Sequence, residues 1–303
     1  MRDELRALER LRSTVGIWSF GHEALAPAAS GEVAALVESL GFSALWIPES
    51  FGRESLLSAS LLLGATSSLV VGTSIASIWA RDAMAAANGA RTLAATSDGR
   101  FVLGLGVSHK PMVEEARGHE YARPVAAMRR YLEALSAAVM LSPEGTLQPP
   151  RMIAALGPAM LELAAELADG ALPYLVTAEH TATARSILGP DKLLVVEQAV
   201  ALTDDEDEYR RRAASHLGIY TSLPNYQNSW RRLGFGDEDF IPGGSRRLQD
   251  ALVVRGDEEA ILAAVAEHRS AGADQVALQV LGERSTAAPE DDWRRIAVAL
   301  ELR

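Results

Sequence analysis

Two titratable side chains stand where short apolar runs give out. Glu49 follows Trp46-Ile47-Pro48, and His109 follows the run Phe101–Val107 and Ser108. A carboxyl group leaving an apolar strand can act as a general acid or orient a substrate, and an imidazole with its ordinary pKa of about 6.5 can donate a proton. Each also has a plainer reading: Glu49 as a solvated carboxylate or the partner of Arg53, His109 as the cap of a loop. A third feature is Gly157-Pro158-Ala159-Met160 at the start of a helical pattern. Glycine lets backbone approach a ligand, proline presets the first turn, and the free N–H groups beyond it form an anion site. An ordinary turn into a helix reads the same way. Ser74 and Ser77 place hydroxyls on an apolar strand, where a backbone partner is the usual fate.

Other chemistries fail on composition or spacing. With no cysteine, the chain has no disulfide, thiolate metal site or cysteine nucleophile. The six histidines (His22, His109, His119, His180, His216, His268) contain no His-x-x-x-His pair, which argues against a zinc hydrolase; no metal is expected. Gly106-Val107-Ser108-His109-Lys110 lacks the second glycine of a nucleophile elbow, and Gly104-Leu105-Gly106 has two of the three glycines of a dinucleotide loop. Arg210-Arg211-Arg212 and Arg231-Arg232 read as a solvated helix face and an interface. A net charge of −11, from 29 Lys+Arg and 40 Asp+Glu, argues against nucleic-acid binding.

The elements that must hold these residues alternate. Apolar runs at 15–19, 44–48, 69–78, 101–107, 151–156, 171–176, 193–202 and 275–280 read as eight strands. Helical patterns lie at 31–40, 55–65, 83–95, 124–140, 160–168, 178–188, 205–220, 257–271 and 291–302. Eight strands each followed by a helix is the count of an α/β chain folded as one (β/α)8 TIM barrel over residues 1–303; a doubly wound open sheet shares the alternation and is the competitor. In a barrel the C-terminal strand ends line the site. They carry Trp18, Glu49, Ser74–Ser77 with Trp79 beyond, Gly104–His109, Gly157-Pro158, Tyr174–Thr177, and Glu197 or Ala201. Such a rim, rich in aromatics, hydroxyls and glycines, suits a flat aromatic ligand bearing a phosphate. The irregular stretch 221–244, before the last βα unit, reads as an inserted lid or an interface segment. The first 16 residues lack the apolar run of a signal peptide, and no apolar stretch approaches about 18 residues, so a soluble cytoplasmic protein with no membrane contact is expected.

Several of these junctions together resemble the luciferase-like monooxygenase superfamily, in its actinobacterial branch of coenzyme F420-dependent oxidoreductases. The pieces are Gly16-Ile-Trp-Ser19, Leu45-Trp-Ile-Pro-Glu49, Gly72-Thr-Ser-Ile75, Ile78-Trp-Ala-Arg-Asp82, Gly99 through His109, Leu156-Gly-Pro158 and Ala168-Asp-Gly170. The resemblance implies a TIM barrel with a flavin or deazaflavin at its C-terminal face. It places a bulge with a non-prolyl cis peptide at Ser74-Ile75, beside Ala76, behind the ring. It sets Gly106, Val107 and Ser108 along the cofactor, and the phosphate on Leu156, Gly157 and Pro158 and on Val176 and Thr177. Glu49 and His109 become the proton-donor candidates, and Trp18, Trp79, Tyr174 and Tyr226 the walls of the substrate pocket. Asn225, Tyr226, Asn228 and Trp230 would close over the substrate or pack against the preceding helix or a partner. The chain departs from the family's sugar-phosphate dehydrogenases, which carry histidine where Glu49 stands. The implied reaction is hydride transfer between F420 and a small organic substrate, by a homodimer. An FMN-dependent monooxygenase and a non-catalytic ligand-binding barrel are the alternatives.

Overall fold

A computed structural model describes residues 4–143, 147–282 and 288–302. Its strands are β1 (Thr14–Trp18), β2 (Ala44–Ile47), β3 (Val70–Thr73), β4 (Ala76–Ser77), β5 (Phe101–Gly106), β6 (Arg151–Ile153), β7 (Gly170–Ala171), β8 (Leu193–Leu202), β9 (Val253–Gly256) and β10 (Gln275–Val280). All pairings are parallel. The order β1-β2-β3-β5-β6-β7-β8-β10 closes because β10 pairs with both β8 and β1.

Strands covered on both faces need apolar residues at successive positions, and here the two faces sort cleanly. Ile17, Leu45, Ile47, Val71, Leu103, Ile153, Val196 and Leu278 pack outward in the layer shared with the helices. Trp18, Trp46, Val70, Val102, Met152, Leu172, Val195 and Ala277 fill the barrel interior. That interior is joined by Ala7 and Leu11 of α1 (Glu4–Leu11), a helix the charged N-terminal sequence does not advertise.

The surrounding helices are α2 (Pro27–Ser39), α3 (Ser55–Gly64), α4 (Ala83–Thr96), α5 (Pro124–Ser136), α6 (Pro158–Leu167) and α7 (Ala178–Leu188), each packed on the next. After β8 come α8 (Glu206–Leu217), α9 (Pro224–Arg231) and α10 (Arg246–Leu252), then β9, α11 (Glu258–Ser270) and α12 (Glu290–Ala299). The helix that continues the ring beyond α7 is α11, which contacts both α7 and α12. The pattern at 205–220 therefore does not supply the barrel helix of its unit: α8 packs against α10 and β8. The insertion runs from α8 through β9 and is helical, longer than the irregular 221–244 read from sequence. β9 pairs with Ala199–Leu202, extending the β8 edge that the two-residue β7 leaves uncovered.

The run 69–78 is two strands rather than one. Its peptide bond between Ser74 and Ile75 is cis, at the position the resemblance implies. Beyond the break β4 pairs with Leu105 and Gly106. No helix among the described residues is long and apolar enough to cross a membrane.

Candidate active site

A cavity of about 560 Å³ opens at the C-terminal ends of the strands. Its floor is Ser74, Ile75, Gly106 and Val107; one wall is Ala154–Met160, and the other is Trp18, Phe20, Tyr174, Tyr220 and Tyr226. The bulge is held from three sides. Ser74 N–H donates to Ile47 O at 2.7 Å, Ser74 O accepts from Trp18 Nε1 at 3.2 Å, and Ile75 O accepts from Glu49 N–H at 3.2 Å. A Cβ on Gly106 would lie 2.4 Å from the Ile75 side chain, so glycine there is what lets Ile75 settle against β5.

Of the residues singled out from sequence, Trp18, Glu49, Ser74, Ile75, Gly106, Val107, Ser108, His109, Leu156, Gly157, Pro158, Tyr174 and Tyr226 line this cavity. Four lie outside its lining. Ala76 and Val176 are buried. Thr177 caps α7, accepting from His180 N–H at 3.4 Å. Trp79 donates from Nε1 to Val107 O at 2.9 Å, with its ring beside His119. Trp79 therefore braces the fourth barrel strand from behind rather than walling the pocket.

Glu49 is firmly engaged, and not with Arg53. Its carboxylate is ion-paired with Arg81, which also reaches Glu54, and it accepts Ser77 N–H at 2.7 Å and Ser55 N–H at 3.4 Å. Arg53 instead donates to His22 O, Leu25 O and Ser30 Oγ. His109 does not keep its ordinary pKa. Burial pushes it down to about 4, so the imidazole is neutral at pH 7, and its Nδ1 has no partner among the described residues. Its ring faces Tyr226 at 5.8 Å and Tyr220 at 6.4 Å between centroids.

The helix α6 begins at the cavity with Gly157 as its N-cap and Pro158 in the first turn, and no side chain caps it. A Cβ built on Gly157 would meet only Arg232 Nη2, at 3.6 Å, and that same nitrogen donates to Leu156 O at 3.1 Å. A helix N-terminus left bare beside a guanidinium is a fitting place for an anion. Arg232 thus faces the cavity, where the sequence suggested only an interface. Within 221–244, Asn225, Tyr226 and Asn228 line the cavity, whereas Trp230 is fully buried and donates to Leu175 O at 3.1 Å. Trp230 is an anchor of α9.

Sequence reasoning missed Tyr220 and His216. Tyr174, Tyr220 and Tyr226 form a continuous aromatic wall, with Tyr220 lying 5.5 Å from Tyr174 and 4.9 Å from Tyr226. Tyr220 and Trp18 also border a second cavity of about 700 Å³, which reaches His216 and Gln279. Neither residue carries a motif, and only the folding back of α8 brings them to the barrel mouth.

The model of the luciferase-like monooxygenase family matches residues 14–281. The chain belongs to that family. It is 30% identical over 287 residues to a Mycobacterium tuberculosis protein named "Putative coenzyme F420-dependent oxidoreductase", covering 81% of this chain and 79% of that one. Among solved structures, an F420-dependent secondary alcohol dehydrogenase in complex with an F420-acetone adduct superposes with a TM-score of 0.75 at 12% identity, over 97% of this chain and 98% of the other. A type II Baeyer-Villiger monooxygenase of Pseudomonas putida in complex with FMN gives 0.68 at 12% identity, over 96% and 98%. At such identities the structural likeness speaks for the shared barrel.

Proposed function

We propose that the protein is a coenzyme F420-dependent oxidoreductase that moves a hydride between the deazaflavin and a small organic substrate. The observation that carries this reading is the pairing of a flat apolar floor, Ile75 with Gly106 and Val107, with an uncapped α6 N-terminus at Gly157 in the same cavity. A planar ring and an anionic group attached to it fit such a pair. The 30% identical relative with F420 in its name favours the deazaflavin.

When bound, the cofactor supplies or accepts the hydride, which the protein has no group to do. The chain's own residues bind, orient and exclude water. Gly157, Pro158 and Ala159 would take the phosphate, with Arg232 adding charge. Glu49, locked to Arg81 and to the Ser77 N–H, acts as the holder of the bulge rather than as a proton donor. The neutral His109 orients substrate by hydrogen bonding. The aromatic wall presses the substrate toward the floor, so that the reacting atoms meet in line. Asn225, Tyr226 and Asn228 of the insertion serve as a lid on the same space.

Titration of the cofactor-stripped protein with F420 and with FMN, read by tryptophan fluorescence, tests this reading because Trp18 lines the cavity. Quenching by F420 at micromolar concentration, with no response to FMN, is the expected result. A preference for FMN would turn the reading to an oxygen-dependent monooxygenase, and binding of neither to a barrel without this chemistry.

A further inference from the structure

Arg210-Arg211-Arg212, which reads from sequence as one solvated helix face, divides into three different environments. Arg210 bonds Glu206 at 2.6 Å and Asp250 at 2.8 Å and lies outside any cavity lining. Arg211 and Arg212 both line the second cavity, the one of about 700 Å³ beside the candidate active site. Arg212 is fixed there: its guanidinium donates to Leu281 O at 2.8 Å and pairs with Glu208, and its Nε is buried with no partner among the described residues. Arg211 repeats the same one-turn spacing with Asp207, yet it forms no ion pair among the described residues.

Glu208 is the one acid in the described lining, and both its oxygens are taken, by Arg212 and by the Thr203 hydroxyl at 2.7 Å. The acids nearby but outside the lining are engaged as well. Asp205 caps α8, accepting Glu208 N–H at 2.9 Å, and Asp292 pairs with Arg295 at 3.7 Å. Two arginines therefore face one neutralised glutamate. Between them and the barrel stands His216, which burial pushes down to about 4 and whose Nε2 also has no partner among the described residues. A guanidinium without a counter-ion, next to a buried N–H left unbonded, is arranged for a planar oxyanion.

Trp18, Phe20, Ile219 and Tyr220 belong to the walls of both cavities. That border is not a sealed partition, since Ile219 is 59% exposed and Phe20 and Tyr220 are half-buried. The uncapped α6 N-terminus at Gly157 stands on the other wall of the first cavity, so an anion that reaches Arg211 belongs to the substrate and not to the cofactor's phosphate. We propose that the second cavity holds a carboxylate of the organic substrate, bound by Arg211 and by Arg212 Nε, while the bond that exchanges hydride lies over Ile75 and Gly106. This deepens the F420 reading: the anion site stands on the arginines, and the role of its ligand as hydride partner rests on that reading. Fixing a substrate at a charged end as well as at the ring sets which of its carbons is presented. A keto acid held so takes the hydride at its carbonyl carbon and a solvent proton at the oxygen, leaving a hydroxy acid and oxidised F420.

The probes are benzoyl-substituted alkanoic acids of increasing chain length, each set against its uncharged methyl ester. The net charge of −11 opposes any anion, so a preference for the acid needs a local cation. Calorimetry on the ligand-free protein should show at least one acid bound about tenfold or more tightly than its ester. Arg211 has no bond within the described protein to lose, so Arg211→Gln should melt as wild type does. It should remove most of the acid's advantage while leaving the ester and F420 within about twofold. Esters that bind as well as every acid overturn the proposal, as does an acid preference that R211Q leaves intact. F420 binding weakened about tenfold in R211Q overturns it too, because the cavity then serves the cofactor. Arginine-dependent acid binding by a protein that binds no F420 supports the anion site and overturns the F420 reading alone; oxidation of reduced F420 by the acid that binds supports both.

Discussion

At Gly157 the missing side chain matters through space, not through backbone freedom: its φ is −104°, which any residue adopts, and a Cβ there would touch only the end of Arg232. Gly157→Asp should therefore fold. Its carboxylate would cap the first turn of α6 and meet the positive end of the helix, changing stability by a few tenths of a kcal/mol, in the stabilising direction. The same carboxylate would occupy the anion's place. F420 and FMN should both bind at least about tenfold more weakly, a loss of about 1.4 kcal/mol or more, while riboflavin, which has no phosphate, should be affected far less. Fluorescence titration beside a thermal melt reads both effects, and undiminished F420 binding would remove the phosphate from α6. Gly157 is legible in the sequence because Gly-Pro before a helical pattern has a local meaning. The role of Glu49 is not, since its partner Arg81 stands 32 residues on while Arg53 is the near neighbour in sequence. Glu197 hides in Leu193–Leu202, a run buried throughout, where a carboxyl inside an apolar strand was itself the signal to follow. Its Oε2 accepts from Leu175 N–H at 3.0 Å, and its Oε1 has no partner among the described residues.

The elements that were easy to read are those whose pattern is set by burial on both faces: β1, β2, β5, β8 and β10 lie where apolar runs put them. The failures are elements defined by long-range packing. β9 is four residues, Val253-Val-Arg-Gly256, ending in a charge and a glycine, and is a strand only because β8 overruns β7. α9, with sequence PNYQNSWR, has three buried residues, Tyr226, Ser229 and Trp230, and too little apolar period to announce itself. Its attachment rests on Trp230, whose indole is fully buried and bonded to Leu175 O. Trp230→Phe keeps most of the ring volume and strands that carbonyl, at a cost of about 1–3 kcal/mol. The loss belongs to the insertion. Hydrogen exchange should quicken in α9 and the turn before it and stay unchanged in the barrel strands, with weaker cofactor binding because Tyr226 and Asn228 lose their footing. Equal loosening of strands and insertion would show that the two open as one unit.

For the molecule as a whole, six buried groups decide how stability follows pH near neutrality. Burial pushes His22, His109, His216 and His268 down to about 4, lowers His180 as well, and pushes Glu197 up to about 8. The histidines are neutral in the folded protein and protonate on unfolding once the pH is below about 6.5, so what they contribute is present above that value and is lost as pH falls toward 4. Glu197 works in the opposite sense. Folded, it holds a proton that the unfolded chain releases above about pH 4.5, so its share is complete only at low pH and is lost as pH rises to about 8. Between about pH 4.5 and 6.5 five histidines outweigh one glutamate and stability climbs; between about 6.5 and 8 Glu197 acts alone and stability falls by about 2 kcal/mol. Urea midpoints of the ligand-free protein should thus peak near pH 6.5. In Glu197→Gln the acid limb should remain and the decline toward pH 8 should vanish. A midpoint that stays level from pH 6.5 to 8 in wild type would mean that Glu197 is already ionised in the folded barrel, with its free oxygen satisfied by something other than a proton.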